Sequence, residues 1–346
     1  MISSESSVAS DIAKHLKGSF SHVQFDSIVR RVRRFFNNTL FEPYSFYDAI
    51  IKHVISSFKA KHPDKRVHII IDHMFSHDNY SVFMISMRIG KQGIPLWFRC
   101  FKGKDNPSAF NEHLITQGID YISSLFDSSF NLIFLADRWF NSTSLMKHID
   151  SLGHCFCFRL RKNINIDVFD KREGHIISKT IDDLFVYKKH SNFLFNVPIS
   201  NHSFNVNIAI SKSDNVSEPY FIATNSDPRR AIKDYDYRFG AIEFLFKTQK
   251  SNGFYIEAIN NASISSFTTM YTIVCFSILF LTILGTDFTK NTSCYSKVKI
   301  TTHKVYGGKY KKRVLSLFKT GLTLFKLAFN SEVYIRIPFN FILYDI

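Results

Sequence analysis

Three carboxylates in the sequence are placed where they could take part in chemistry. Asp72 and Asp137 each end a short apolar run, VHIIID and FNLIFLAD, and Glu243 lies within RFGAIEFLFKTQK. The first two runs are typical of buried strands, whereas the third has the spacing of a buried helix. Carboxylates that bridge a pair of Mg²⁺ ions roughly 3.5–4 Å apart stabilise the attacking and leaving oxygens of phosphoryl transfer. Metal-dependent phosphoryl transfer is therefore the chemistry that these residues indicate.

The order of elements predicts how the carboxylates meet. Residues 67–163 read as strand, strand, strand, helix, strand, helix, strand, with a hairpin turn at Gly90–Gly93. Three antiparallel strands followed by right-handed crossovers predict a mixed sheet covered by helices, in which the first and fourth strands lie side by side and parallel. Asp72 and Asp137 would then lie at the same end of the sheet, and Glu243 on a later helix would be the third metal ligand.

Each carboxylate also has an ordinary structural interpretation. A strand-end Asp often caps a turn, and Glu243 could simply pair with Lys247 one helical turn later, which contributes a few tenths of a kcal/mol.

Lys250 follows Glu243 by seven residues, about 20° around an ideal helix, so both side chains point the same way. Lys250 is therefore predicted to hold a phosphate beside the metals.

Composition narrows the class of partner. The 346 residues carry a net charge of +15, which favours a polyanion such as DNA, RNA or anionic lipid. The five cysteines are an odd number without the CxxC spacing of zinc sites, and no N-terminal signal peptide is visible. The sequence thus indicates free thiols in a reducing cytoplasm.

The chain divides into five predicted regions. A basic helical N-terminal region includes the cationic helix FDSIVRRVRRFFNN, and short alternating strands form a β-rich insertion between two parts of the core. The regions are 1–66 (helical, DNA-binding), 67–163 (core, first part), 164–226 (β-rich insertion), 227–290 (core, second part) and 291–346 (basic C-terminal region).

One segment, 264–285, is uncharged over 22 residues and long enough to span a bilayer. A helix buried in a large core has the same composition, and the Ser and Thr in the first half of this segment favour that interpretation. A membrane protein anchored through 264–285 is the alternative.

Taken together, these motifs resemble bacterial insertion-sequence DDE transposases, specifically insertion-sequence family four with its Tyr–Arg–Glu–Lys signature. The resemblance covers about residues 67–260 and rests on LADRWF, RLRKN, ATNSD and IEFLFKTQKSNGF. It implies an RNase H-like α/β fold, a mixed sheet with flanking helices that is interrupted by a β-rich insertion. It also implies site roles: Asp72, Asp137 and Glu243 as catalytic ligands of two Mg²⁺ or Mn²⁺ ions, and Lys250, Arg238 and Tyr235 as DNA-contacting residues.

The resemblance implies cut-and-paste transposition, in which the enzyme nicks each transposon end and the released 3′-hydroxyl attacks target DNA. The partners would be terminal inverted repeats and target DNA, held by a homodimer in a synaptic complex at the nucleoid. Two alternatives are a metal-dependent nuclease of the same fold that performs no strand transfer, and a non-catalytic DNA-binding protein from a decayed element.

The spacing within the signature departs from that family. Four residues separate Arg238 from Glu243, where the family has three, and on an unbroken helix this places the two side chains about 140° apart. Gly240 lies in the gap, so a kink, a bulge or a late helix start there would bring both to one face.

Overall fold

A computed structural model gives the fold of most of the chain. The described residues are 1–62, 65–76, 79–103, 111–170, 174–182, 192–199, 204–211, 219–251, 253–259, 262–295, 298, 300–306, 310–313 and 315–330. The final part of the predicted C-terminal region, 331–346, lies outside them.

Three helices form the N-terminal region: α1 (Ala9–Lys17), α2 (Phe25–Phe36) and α3 (Pro43–Lys59). The amphipathic α2 buries Ile28, Val29 and Phe36, which leaves its arginines on the exposed side. The exposed arginines are Arg30, Arg31, Arg33 and Arg34.

The predicted order of core elements is confirmed. Strands β1, β2 and β3 form an antiparallel meander, after which β4 pairs parallel with β1 and β5 pairs parallel with β4. The elements are β1 (Arg66–Ser76), β2 (Tyr80–Ile89), β3 (Gln92–Lys102), α4 (Glu112–Leu125), β4 (Asn131–Ala136), α5 (Thr143–Ser151) and β5 (Cys155–Arg159).

The strands of the predicted insertion extend this sheet. β10 pairs antiparallel with β5, and the ten strands follow the order β3-β2-β1-β4-β5-β10-β9-β8-β6-β7. The fold is thus α/β with a mixed, largely antiparallel ten-stranded sheet, in which the added strands cover the edge that β5 would otherwise expose. The added strands are β6 (Asn165–Asp170), β7 (His175–Thr180), β8 (Asn192–Ile199), β9 (Phe204–Ser211) and β10 (Tyr220–Thr224).

Helix α6 (Pro228–Lys250) crosses the sheet and contacts β1, β3, β9 and β10. The side chain of Asp227 caps its N-terminus by accepting a hydrogen bond from the Arg229 amide at 3.0 Å, as expected for a helix that begins with Pro. A stripe of residues three or four apart faces the sheet. The stripe is Ala231, Asp234, Tyr235, Arg238, Ala241, Ile242 and Leu245.

Asp234 fixes α6 on β1 through two ion pairs. Its carboxylate accepts a hydrogen bond from Arg66 Nη2 at 3.0 Å and lies 3.0 Å from His68 Nε2. Burial opposes the charge on Asp234, but His68 and Arg66 together hold its pKa below the ordinary value of 3.8. The register of α6 over β1, one turn before Arg238, depends on this cluster.

We expect Asp234→Asn to lower the free energy of unfolding by about 2 kcal/mol at pH 7, because Arg66 then loses its buried partner. A depressed carboxyl pKa stabilises the fold above the pKa of the unfolded chain, so the difference from wild type should shrink as the pH falls below about 4. Urea unfolding at pH 7 and pH 3 measures both values. Asp236→Asn, on the exposed side of the same helix, is the control and should change stability by less than about 0.5 kcal/mol.

Helix α7 (Ile264–Lys290) contains the long uncharged segment. It is long and apolar enough to cross a membrane, yet 83% of its most apolar window is buried against α3, β3 and α8 (Leu317–Phe329). Several of its hydroxyls donate to carbonyls of the preceding turn, as Thr268 does to Ile264 and Thr272 to Thr268, so these groups are satisfied within the buried helix. Between α7 and α8 lies the hairpin of β11 (His303–Tyr306) and β12 (Tyr310–Arg313).

Candidate functional site

The two aspartates lie side by side at the end of the parallel β1–β4 pairing. Ile71 is the partner of Ala136 in the last pair of that ladder, and Asp72 and Asp137 come next on each strand. The predicted convergence is confirmed, although β1 does not end at Asp72 but continues to Ser76 because its pairing with β2 persists. Strand β4 does end here, and Asp137 Oδ1 caps the following 3-10 turn by accepting from the Trp139 amide at 2.8 Å.

Arg238 of α6 lies between the two carboxylates. Its Nη2 is 2.5 Å from Asp72 Oδ2 and 3.7 Å from Asp137 Oδ2. The side chains of Arg238 and Asp72 are 8% and 13% exposed, whereas that of Asp137 is 25% exposed. Asp72 also accepts a hydrogen bond from the His73 amide at 2.8 Å, so the carboxylate is held in place from two sides. The result is a buried two-acid, one-cation cluster at the edge where β4 ends.

Burial dominates the electrostatics of this cluster. It raises the pKa of Asp72 to about 6, with Arg238 opposing the shift and the neighbouring Asp137 adding to it. Burial also works against the charge on Arg238, but the adjacent Asp72 keeps the pKa of the guanidinium above its ordinary value. Asp72 is therefore an acid that depends on a neighbouring cation to remain ionised at neutral pH.

Glu243 does not join the aspartates. It is exposed on the far side of α6, and it is the last of the charged neighbours that influence Arg238. Helix α6 begins at Pro228 and is continuous through Gly240, so a late start does not bring the two side chains to one face and the spacing of about 140° holds. Because Arg238 is on the face toward the sheet, Glu243 on the same straight helix cannot be. Within the described ranges, no three His, Cys, Asp or Glu side chains form a group that could hold a metal.

The predicted DNA-contacting residues are dispersed along α6. Tyr235 is 1% exposed, packs against Tyr220 and Phe239, and has a pKa raised to about 12 by burial. Lys250 forms an ion pair of 2.9 Å with Glu257. Arg238, predicted to contact DNA, instead contacts the two acids.

Lys247 is exposed, and no ion pair joins it to Glu243 in the described part of the chain. The ordinary surface pair considered for Glu243 is therefore not formed. Glu243 and Lys247 are both open to solvent on one side of α6.

The donor set fits one divalent cation better than two. Carboxylate oxygens are the ligands that Mg²⁺ and Mn²⁺ prefer, and a cationic group already lies between those of Asp72 and Asp137. An ion held by this pair would take the place of the guanidinium. A second ion needs a further carboxylate, and Glu243 provides none where it lies.

The role of Arg238 as the partner of both acids was missed in the sequence. The signal was present in the extra residue between Arg238 and Glu243, because a helix with that spacing can present only one of the two to the sheet. The resemblance favoured Glu243, whereas helical geometry and burial select Arg238.

Comparison with known proteins gives a weak similarity at the level of structure only. No protein-family profile matches the chain, and no curated protein matches its sequence. Among solved structures, the fold is similar to that of the piggyBac transposase, determined by cryo-EM in a synaptic complex with hairpin DNA, at 12% sequence identity and a TM-score of 0.39. The match covers 81% of this chain and 58% of the transposase chain.

Proposed function

We propose that the protein is a DNA transposase of the DDE type with an RNase H-like core. The observation that carries this proposal is the placement of Asp72 and Asp137 next to each other on adjacent parallel strands, with a cation between them. The strand order β3-β2-β1-β4-β5 that places them supports the RNase H-like assignment. The sequence resemblance to insertion-sequence family four supplies the specific reaction, cut-and-paste transposition.

In this proposal Asp72 and Asp137 hold a catalytic Mg²⁺ or Mn²⁺ ion. The chemistry that such ions supply when bound is activation of the attacking oxygen and stabilisation of charge on the phosphate. The resemblance implies that Glu243 joins the two aspartates as a ligand of two ions, and its exposed position on α6 means that the helix must turn or shift for it to serve. Arg238 would leave the acids at the same time and become free to contact a DNA phosphate, as the signature implies.

The chain's own charges favour a DNA partner. The four exposed arginines of α2 form a cationic surface, and the whole chain carries a net charge of +15. We assign α2 to phosphate contacts with the terminal repeats or the target, which position DNA without reading its sequence. A homodimer in a synaptic complex and a cytoplasmic location at the nucleoid belong to the same proposal.

The decisive experiment is cleavage of a labelled duplex that carries the ends of the encoding element, with Mg²⁺ or Mn²⁺ and a supercoiled target. We expect nicking and joining by wild type, and loss of both by Asp137→Asn and by Glu243→Gln while end binding persists. Asp236→Asn, which removes another exposed carboxylate from α6, is the matched control. Equal cleavage by wild type and Asp137→Asn would refute the active-site assignment, and nicking without joining would indicate a nuclease.

A second candidate function is DNA binding without catalysis, as in a protein derived from a decayed element. The observation in its favour is that Arg238 occupies the position between the acids while Glu243 faces solvent. Such a protein would bind the ends with the same affinity in EDTA and in Mg²⁺ and would never cut them. Binding isotherms beside the cleavage assay distinguish the two functions.

A further inference from the structure

A basic cleft opens beside the turn that follows Asp137. It has a volume of about 660 Å³ and is lined by the 3-10 turn after Asp137, by the residues that follow β5, and by Pro219 and Phe221 at the start of β10. Two hydrogen bonds fix its walls: the Leu160 amide donates to Phe221 O at 2.7 Å, and the Arg161 side chain donates from Nε to Arg138 O at 3.3 Å.

Cations outnumber acids in this cleft. Arg138, Arg159, Arg161 and Lys162 line it, against one carboxylate, Asp182, among the described lining residues. The Arg159 guanidinium lies 4.7 Å from the centre of the Tyr220 ring, which fixes its plane. Arg161 and Lys162 are exposed. Such a set of donors suits phosphate oxygens, and the fork geometry of Arg matches them bidentately.

Trp139 lies at the mouth of the same cleft. Its side chain is 70% exposed, although a Trp of a folded protein usually buries most of its surface. Asp137 Oδ1 accepts a hydrogen bond from the Trp139 amide, so the backbone that carries the exposed indole is fixed next to the candidate catalytic acid. In the described part of the chain no other aromatic ring packs against it. An exposed indole beside several cations is the combination that binds unpaired nucleic acid, with stacking on bases and ionic contacts to the backbone.

We propose that this cleft binds an unpaired DNA strand, with phosphates on Arg159, Arg161 and Lys162 and one base stacked on Trp139. A paired base has no free face to offer the indole, so the site selects single-stranded over duplex DNA. That the strand is DNA rests on the proposed function, whereas the cleft chemistry itself requires only an unpaired polynucleotide. The strand would pass directly beside Asp137.

The test uses the intrinsic fluorescence of the whole protein, in EDTA so that neither metal nor cleavage contributes. The chain has two tryptophans, and Trp97 is only 8% exposed, so a base that stacks on Trp139 should quench most of the accessible emission. The probe is oligothymidylate about 12 nucleotides long, compared with an abasic strand of equal length and charge. We expect quenching by the first strand alone.

Variants separate stacking from charge. Binding by the variants is measured from the fluorescence anisotropy of end-labelled strands, because Trp139→Leu removes the fluorophore that is quenched. Trp139→Leu should weaken binding of oligothymidylate by at least about fivefold and leave the abasic strand unaffected, since stacking contributes roughly 1–3 kcal/mol per base. Arg161→Ala with Lys162→Ala should weaken both strands. Lys91→Ala with Lys147→Ala removes two exposed charges elsewhere and should change neither by as much. Because Trp139, Arg161 and Lys162 are exposed, these variants should fold.

The outcomes distinguish this proposal from the transposase assignment. If oligothymidylate quenches the fluorescence in EDTA but the protein never cleaves DNA, the proposal for the cleft stands and the transposase assignment is refuted. If the wild-type protein cleaves DNA but Trp139→Leu binds both strands as tightly as wild type does, the transposase assignment stands and the proposal for the cleft is overturned. Tighter binding of oligouridylate than of oligothymidylate would overturn DNA as the ligand.

Discussion

Arg238→Gln is expected to bind Mn²⁺ at least about tenfold more tightly than wild type. In the wild-type cluster an ion must displace a guanidinium that lies 2.5 Å from Asp72 Oδ2 and 3.7 Å from Asp137 Oδ2. A hydrogen bond to a charged group contributes about 1.5–3 kcal/mol, and each 1.4 kcal/mol is tenfold in affinity. The side chain introduced by Arg238→Gln is neutral, so the ion would displace no guanidinium and would itself supply the positive charge that keeps Asp72 ionised. Calorimetric titration of apo protein gives the dissociation constants directly.

The same variant should lose stability without metal and regain it with metal. Removing the guanidinium leaves Asp72 buried and uncompensated, whereas an ion that binds only the folded state stabilises it by mass action. The rise in melting temperature on adding Mn²⁺ should therefore be larger for Arg238→Gln than for wild type. Arg229→Gln, which removes an equal charge from the exposed first turn of α6, is the control. Equal Mn²⁺ affinities in all three proteins would mean that Arg238 does not compete for the acids.

The expected competition between Arg238 and a metal ion for the two aspartates explains where the sequence resemblance and the structure disagree. The resemblance needs three carboxylates around metal, whereas the structure has two carboxylates around an arginine. One rotation of α6 about its axis would exchange Arg238 for Glu243, because the two are about 140° apart on the same helix. Asp234 is the contact that resists such a rotation, since its pairs with Arg66 and His68 hold α6 to β1. Loss of that anchor should favour the exchange as well as reduce stability.

The central part of the sheet could be predicted from the sequence because its signals are local. The run before Asp72 is β-branched and the run before Asp137 is apolar, and the handedness rule leaves one arrangement for the strands that follow. The continuation of the sheet through β10 could not be predicted, because which edge a strand joins depends on pairing between residues far apart in the chain. The pair of Ile222 with Arg159 is an example.

The part of the site that lies at strand ends could be predicted from the sequence, whereas the part contributed by α6 could not. Asp72 and Asp137 follow from strand ends, but the choice between Arg238 and Glu243 depends on which stripe of α6 is buried. That stripe includes two charged residues, Asp234 and Arg238, so apolar periodicity alone gives the wrong face. The charged members of the stripe are buried because each has a partner on β1, which only the assembled structure reveals.

Gly321→Ala is expected to destabilise the fold by more than about 3 kcal/mol, at or beyond the upper end of ordinary overpacking. Helices α7 and α8 touch through their backbones where Gly285 and Gly321 meet. A Cβ on Gly321 would lie 1.8 Å from Leu281 O, and one on Gly285 would lie 1.9 Å from Leu317 O. Both obstacles are carbonyl oxygens of a buried helix, so no side-chain rotation relieves the contact and the helices must separate.

Gly240→Ala is the matched control, because it also replaces a helical glycine but its new Cβ would have no neighbour within 4 Å. Ala is favoured over Gly in a helix interior by about 1 kcal/mol, so this variant should be as stable as wild type or more stable. Urea denaturation should therefore show a lower free energy of unfolding for Gly321→Ala and Gly285→Ala, and an unchanged or higher one for Gly240→Ala, although the chemical change is the same in all three. If Gly321→Ala unfolded at the wild-type urea concentration, the two helices could not be in backbone contact, and the packing of the whole C-terminal half would have to differ.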